Sequence, residues 1–239
     1  MTVCLVAAVI RVSVRPLHVL ATGDVHAPKY LDMFREALNN CHGGDVMLLA
    51  GDLVLRNNLP MMPAVVSTIR KAFKGDVFAC FGNEEYAESE DEYLKVHEIR
   101  WVRDEKLTLH DDRGSIDLIG SRGSLDRPTF WQRRYVKNVW REHAERLHRL
   151  REILEKCESQ RKIVLTHYSP TYLTLVGEDE RIWPELASKK YEPIMISYRP
   201  EVWVHGHVHS SQEVEATIGE TRVLNVSLPA RRRIVEFVL

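Results

Sequence analysis

Short apolar runs alternate along the chain with longer stretches whose apolar residues recur at helical spacing. Leu17 to Ala21, Val46 to Ala50 and Val77 to Phe81 read as buried strands, and Ile116 to Ile119, Ile163 to Leu165 and Val202 to Val204 as further ones. The N-terminal run Val3 to Ile10 reads as a strand continued by Val12 and Val14. Between them, Pro28 to Asn39 predicts a helix with Pro at an early position and Leu31, Phe34 and Leu38 on one face. Met61 to Phe73 predicts a second. Thr129 to Cys157 reads as one long helix, with Trp131, Tyr135, Leu147, Leu150 and Leu154 near helical spacing. The tail, with Val214, Val223 to Val226 and Ile234 to Val238, suggests an antiparallel finish. This alternation predicts an α/β layered fold. With no repeat, low-complexity linker or composition break, a single domain over residues 1–239 is expected.

The residues just past each strand change the picture from architecture to chemistry. Leu-Ala-Thr-Gly runs into Asp24-Val25-His26, and Leu-Leu-Ala-Gly into Asp52. Cys-Phe-Gly runs into Asn83-Glu84-Glu85, Val-Leu-Thr into His167, and Val-Trp-Val into His205-Gly206-His207-Val208-His209. In open α/β sheets, ligands bind beyond the carboxyl ends of the strands. Five strands would thus deliver metal-ligand side chains to one edge. Gly23, Gly51, Gly82 and Gly206 adjoin four of these groups, where a tight turn must aim a side chain. Each match alone is weak; the ordered set, each member at a strand end, is not.

The set Asp24, His26, Asp52, Asn83, His167, His207 and His209 offers two carboxylates, one amide and four imidazoles. Mixed imidazole and carboxylate donors suit manganese first, with iron, zinc, cobalt or nickel as alternatives, rather than calcium or magnesium. Seven side chains exceed what one catalytic ion with open positions needs. A carboxylate such as Asp52 can bridge two ions about 4 Å apart, which can hold a hydroxide for in-line attack on phosphorus. Two dications, two aspartates and one hydroxide leave about +1, suited to an anionic phosphate.

The order Asp-x-His, Gly-Asp, Gly-Asn, His, Gly-His-x-His resembles the calcineurin-like metallophosphoesterase superfamily, over Asp24 to His209. The resemblance implies a β-sandwich of mixed sheets flanked by helices, holding two divalent metal ions. It implies Asp24, His26 and His209 on one ion, Asn83, His167 and His207 on the other, and Asp52 bridging. Asp52, Asn83, Glu84 and His167 are then the catalytic candidates. The family usually reads Gly-Asn-His followed by an acidic residue, the histidine assisting the leaving group. Here Glu84 holds that position, and Glu85 matches the acidic residue that orients the histidine. Family branches lacking the histidine are associated with phosphodiester or pyrophosphate hydrolysis. The expected activity is therefore hydrolysis of such linkages in a small, nucleotide-type phosphate ester. The alternatives are a phosphomonoesterase or nuclease of the same family, or a scaffold that kept the fold without catalysis.

Composition narrows the partners. A formal net charge of −1 over 239 residues lacks the basic surplus of a general nucleic-acid coat, so nucleic acid is not the favoured substrate. Residues 122–151 are locally basic, but pairs such as Glu142 with Arg146 and Glu145 with Arg149 suit a solvated helix face. Arg122 and Arg127 lie just beyond the strand ending at Gly120 and are the candidate substrate-binding residues of a basic rim. Tyr168 and Tyr172 suggest packing rather than base stacking, and His143 has no ligand spacing. No apolar stretch approaches the ~20 residues that span a bilayer, so no membrane partner and a cytoplasmic location are expected. The sequence does not fix an oligomeric state.

Overall fold

The computed structural model describes residues 10–11 and 15–239; most of the expected N-terminal strand lies outside them. In chain order the first strands are β1 (Ile10–Arg11), β2 (His18–Thr22), β3 (Val46–Leu49), β4 (Asp76–Ala79), β5 (Arg100–Trp101) and β6 (Glu105–Asp111). Next come β7 (Gly114–Ser121), β8 (Arg161–Thr166), β9 (Val202–His205), β10 (Glu215–Ile218), β11 (Thr221–Asn225) and β12 (Val235–Val238). The α-helices are α1 (Leu31–Asn39), α2 (Met62–Ala72), α3 (Glu90–Tyr93), α4 (Phe130–Tyr135), α5 (Val139–Glu155), α6 (Glu192–Tyr198) and α7 (Leu228–Arg231).

The strands form two mixed sheets, one ordered β12-β2-β3-β4-β5 and the other β1-β6-β7-β8-β9-β11-β10. Side-chain alternation divides each central strand between two cores. Val19, Ala21, Val46, Leu48, Ile163, Leu165, Val202 and Val204 fill the space between the sheets. Leu20, Met47 and Leu49 face outward onto Phe34 and Leu38 of α1 and Val65 and Ile69 of α2. Val164 and Trp203 face outward onto Leu150 and Leu154 of α5 and Ile194 and Met195 of α6. The result is a helix–sheet–sheet–helix sandwich. Both faces of β2, β3, β8 and β9 are covered, which is why they read as nearly continuous apolar runs.

Register brings the strand ends level. Thr22 pairs with Leu49 and Leu49 with Ala79 in parallel ladders. In the other sheet Thr166 pairs with His205, and His205 with Asn225. The loops after these strands therefore emerge at one edge of the sandwich.

Three expectations need correction. The stretch 129–157 is not one helix: Val136 is extended and Asn138 is left-handed at φ 57°, separating α4 from α5. Asn tolerates that conformation better than most residues. The break frees the aromatics of α4 from the core, and Trp131 and Tyr135 are exposed while Leu150 and Leu154 are buried. The helix expected from Pro28 begins at Leu31, because residues 25–30 form a turn in which Tyr30 N–H donates to Val25 O. Glu145 pairs with Arg141, not Arg149, which reaches Asp104 instead. Strand β6 escaped the sequence reading, although Leu107 and Leu109 alternate with polar residues as a half-buried strand should. No helix among the described residues is long and apolar enough to cross a membrane.

Candidate metal centre

Five loops at the common edge carry the candidate ligands, and hydrogen bonds stitch the loops to one another. Asp24 N–H donates to Gly51 O and His26 N–H to Asp52 O, both at 2.9 Å, joining the first loop to the second. Glu85 joins the second to the third. Its buried carboxylate accepts from the backbone N–H groups of Asp52 (2.8 Å), Leu53 (2.7 Å) and Gly82 (2.8 Å). Asp24 Oδ2 accepts from His207 N–H at 2.9 Å, tying the fifth loop to the first. His167 Nδ1 donates to Ala50 O at 2.8 Å, tying the fourth loop to the second. The bond also fixes the tautomer, leaving Nε2 to act as a ligand.

The backbone is strained where the ligands sit. Asp24, His26, Asp52 and His207 have φ of 58°, 42°, 53° and 69°. Left-handed backbone costs non-glycine residues about 1–3 kcal/mol each, and such strain collects at functional sites. Asp and His are among the side chains that tolerate it. Gly82 is needed for a different reason: a Cβ there would collide with Asp52 Oδ1.

The side chains converge in two groups. Asp24, His26 and His209 present ligand atoms within 4.8 Å of one another, as do Asp52, His167 and His207. In the first group His209 Nε2 lies 3.2 Å from Asp24 Oδ1, and His26 Nε2 lies 3.4 Å from His209 Nε2. In the second, His167 Nε2 lies 3.5 Å from Asp52 Oδ2 and 3.0 Å from Asn83 Oδ1. Asp52 Oδ2 is also 3.7 Å from His26 Nε2, so it stands at the junction of the two groups. All seven residues singled out as ligands meet at one place.

The donor set fits a cation pair. Asp24 Oδ1, His26 Nδ1 and His207 Nε2 are buried without a hydrogen-bond partner, although most buried polar atoms in proteins have one. Burial holds His26 and His167 down at about 4 and His207 well below its ordinary range, keeping the imidazoles in the neutral form that binds metal. Burial, then Glu85 and Asp24, push Asp52 well above the usual carboxylate range. Burial also opposes the charge on Asp24, but His209, His167 and His26 together hold it below that range. A dication at each group is the counter-charge these carboxylates lack.

Other candidates fall around this core. Glu84 forms a third group with His26 and Asp52, its Oε2 accepting from the Arg56 backbone N–H. Glu85, which matches the family's histidine-orienting acidic residue, has no imidazole at 84 to orient, and its carboxylate fastens the loops by accepting from three N–H groups. Arg122 lies half-buried, donating to Glu85 O at 2.8 Å and to Glu90 Oε1 at 2.7 Å. Arg127 donates to Glu185 and to the Arg181 carbonyl. His205 is buried, with Thr174 Oγ1 2.9 Å from its Nε2. A cavity of about 480 Å³ opens beside Asn83, Glu84 and His207, closed on its far side by Trp131, Gln132 and His143 of the α4–α5 segment. Neither Glu85 as a fastener nor His143 as a wall residue was read from the sequence. The acidic residue after Asn83-Glu84 was visible, but which way it points depends on the facing loop.

Solved structures share the fold. The phosphopantetheinyl hydrolase PptH of Mycobacterium tuberculosis superposes with a TM-score of 0.65 at 15% identity, covering 93% of this chain and 96% of that one. TT1561 of Thermus thermophilus gives 0.56 at 16% identity over 93% and 99%. A protein described as a 5′-nucleotidase of Staphylococcus aureus gives 0.53 at 14% identity, over 87% of this chain and 48% of that one. At such identities the likeness concerns the fold. No curated protein sequence matches the chain significantly. The sequence model of the calcineurin-like phosphoesterases matches residues 17–211, which takes in all five ligand loops. With that match and the two ligand groups at one sheet edge, the chain belongs to the calcineurin-like phosphoesterase family and is a metal-dependent phosphoester hydrolase.

Proposed function

We propose that the chain hydrolyses phosphodiester or pyrophosphate linkages in a small, nucleotide-type substrate, with two divalent ions of which manganese is the first candidate. Asp24, His26 and His209 would hold one ion and Asn83, His167 and His207 the other, with Asp52 at the junction of the two groups. Bound there, the ions would supply an activated water and neutralise charge on the phosphoryl group. Seven protein ligands on strained but interlocked loops keep that geometry without reorganisation.

The observation that carries the choice of substrate is Glu84. It stands where the family usually places the leaving-group histidine, and its carboxylate faces His26 and Asp52. Its own N–H donates to Asp52 Oδ1 at 2.8 Å, fixing it beside the centre. A carboxylate next to a cation pair is a poor proton source. Expelling an ordinary alkoxide then lacks general-acid help, which is typically worth about 10²–10⁴-fold. Leaving groups that are already good, such as nucleotides, pyrophosphates and aryl alcohols, gain the advantage.

The test compares kcat/KM for matched aryl and alkyl esters across pH in the wild type and in Glu84→His. The wild type should strongly prefer aryl leaving groups, and Glu84→His should narrow the gap by improving the alkyl substrate selectively. Equal rates for both leaving groups at the chemical step of the wild type would overturn the reading.

A further inference from the structure

Helix α4 has no buried residue, yet three of its six side chains are aromatic. Phe130, Trp131 and Tyr135 are 67%, 58% and 61% exposed, and Trp140, in the first turn of α5, is 57% exposed. Core packing therefore does not account for these rings. Local bonds fix the helix instead. Thr129 and Gln132 close a capping box at its start, and Arg133 reaches Glu185 at 3.2 Å. The break before α5 then leaves Trp140 on the outside while Val139 is buried. Four large aromatics within residues 130–140 are thus held in water, each forgoing the burial its size would reward. A cluster of that kind marks an interaction site, where a single exposed ring would not.

Charge identifies the partner. Residues 127–141 carry Arg127, Arg133, Arg134, Lys137 and Arg141 and no acidic residue, in a chain of formal net charge −1. The carboxylates that reach this segment come from outside it: Glu185 meets Arg127 and Arg133, and Glu145 meets Arg141. Arg134 and Lys137 are exposed, and Arg134 lies 5.6 Å over the Tyr135 ring. Surplus positive charge therefore coincides with the exposed rings. That combination suits the surface of an anionic bilayer, where Trp and Tyr seat at headgroup level and Lys and Arg meet lipid phosphates. Two other occupants fit less well. A second copy docked face to face would set the two basic segments against each other. Single-stranded nucleic acid needs open ring faces for its bases, but the Trp131 and Tyr135 rings lie 5.5 Å apart, tilted against each other.

We propose that α4 and the first turn of α5 form a docking surface for an anionic lipid bilayer. Phe130, Tyr135 and Trp140 enter the headgroup region, and Arg134 and Lys137 meet the lipid phosphates. The sequence expectation of no membrane partner concerned a spanning segment only; binding at the interface requires no such length. Trp131 belongs both to this patch and to the cavity wall, so docking sets the cavity beside the membrane surface. The proposal goes beyond the hydrolase reading and does not depend on it.

The test is co-sedimentation of the full chain with large unilamellar vesicles, either phosphatidylcholine alone or phosphatidylcholine with phosphatidylserine at about 7:3. The wild type should bind the mixed vesicles at least about tenfold more strongly than the neutral ones, and added salt should weaken that preference. Two double variants divide the patch by chemistry: Phe130→Ser with Trp140→Ser, and Arg134→Glu with Lys137→Glu. None of these four residues lines the cavity. Each double variant should lose more than about tenfold in binding to the mixed vesicles. Turnover of a soluble aryl phosphodiester should stay within about twofold of wild type, as expected for exposed positions away from the cavity. A wild type that stays in the supernatant, binds both vesicles equally, or loses nothing in either double variant would overturn the proposal. So would a dimer, or a complex with an oligothymidylate, that Phe130→Ser with Trp140→Ser abolishes while no vesicle is bound. Vesicle binding by a chain that hydrolyses no phosphoester would leave the docking surface standing and remove the activity.

Discussion

The two walls of the site are built on opposite principles. On the metal side every ligand loop is bonded to another, four ligands sit on left-handed backbone, and Asp24 and His167 are wholly buried. On the α4–α5 side, Trp131 is 58% exposed and Tyr135 61%, and the chain bends at an asparagine that leaves α4 off the core while α5 packs onto it. The contrast marks where precision is needed. Ions must be placed within tenths of an ångström, so their loops are over-determined. The α4 side carries none of the candidate ligands, and an exposed six-residue helix there can vary without disturbing the sandwich.

The sharpest way to break the metal side is its junction. Asp52→Asn should lower turnover more than about 10²-fold with the fold retained, since Asp52 Oδ2 lies 3.7 Å from His26 Nε2 in one group and 3.5 Å from His167 Nε2 in the other. Turnover at saturating metal, with circular dichroism as the check on folding, decides it. Retention of more than about a tenth of the activity would remove Asp52 from that position.

Next comes the fastener. Glu85→Ala leaves three buried N–H groups of two loops without their acceptor, at about 1–3 kcal/mol apiece before relaxation. Thermal unfolding of metal-free protein should show a loss of at least about 3 kcal/mol, with weaker binding of both ions. An unchanged midpoint would mean that the loops are held by the strands alone.

The α4–α5 wall should respond differently. His143 is held neutral, with its pKa lowered to about 3 from an ordinary 6.5. Its contribution to stability is therefore fully present above about pH 6.5 and is lost as pH falls from there toward 3, as the unfolded chain takes up the proton first. Urea unfolding of His143→Asn from pH 7 to 4 should show a shallower acid decline than the wild type. A parallel decline would assign that limb to other groups.

The exposed part of the same wall should show the smallest effects on stability and clear ones on binding. Trp131→Ala should leave unfolding within about 0.5 kcal/mol, as expected of an exposed side chain, yet raise KM several-fold for aryl esters. Arg122→Ala should raise KM more than Arg127→Ala, because Arg122 lines the cavity and Arg127 is bound to Glu185 and Arg181 outside it. Equal KM changes would return both to a common rim.

The central strands of the sandwich, and the seven residues that meet at its edge, were legible in the amino-acid order. Strands covered on both faces must be apolar throughout, and Asp24, Asp52, Asn83, His167 and His207 come within a few residues of such runs. Those signals are local, so they survive in one dimension. The remainder was settled only when distant segments came together. Glu85 reads as an ordinary acidic residue until the loop carrying Asp52 and Leu53 is laid against it and offers two N–H groups. His143 looks like one more polar position on a charged helix until the fold buries its ring behind the cavity wall, where the Leu125 backbone N–H donates to it. Strand β6 shows only alternation, and its neighbours β1 and β7 define it. In each case the partner is supplied by a distant segment, and a hydrogen bond across space leaves no periodicity along the chain.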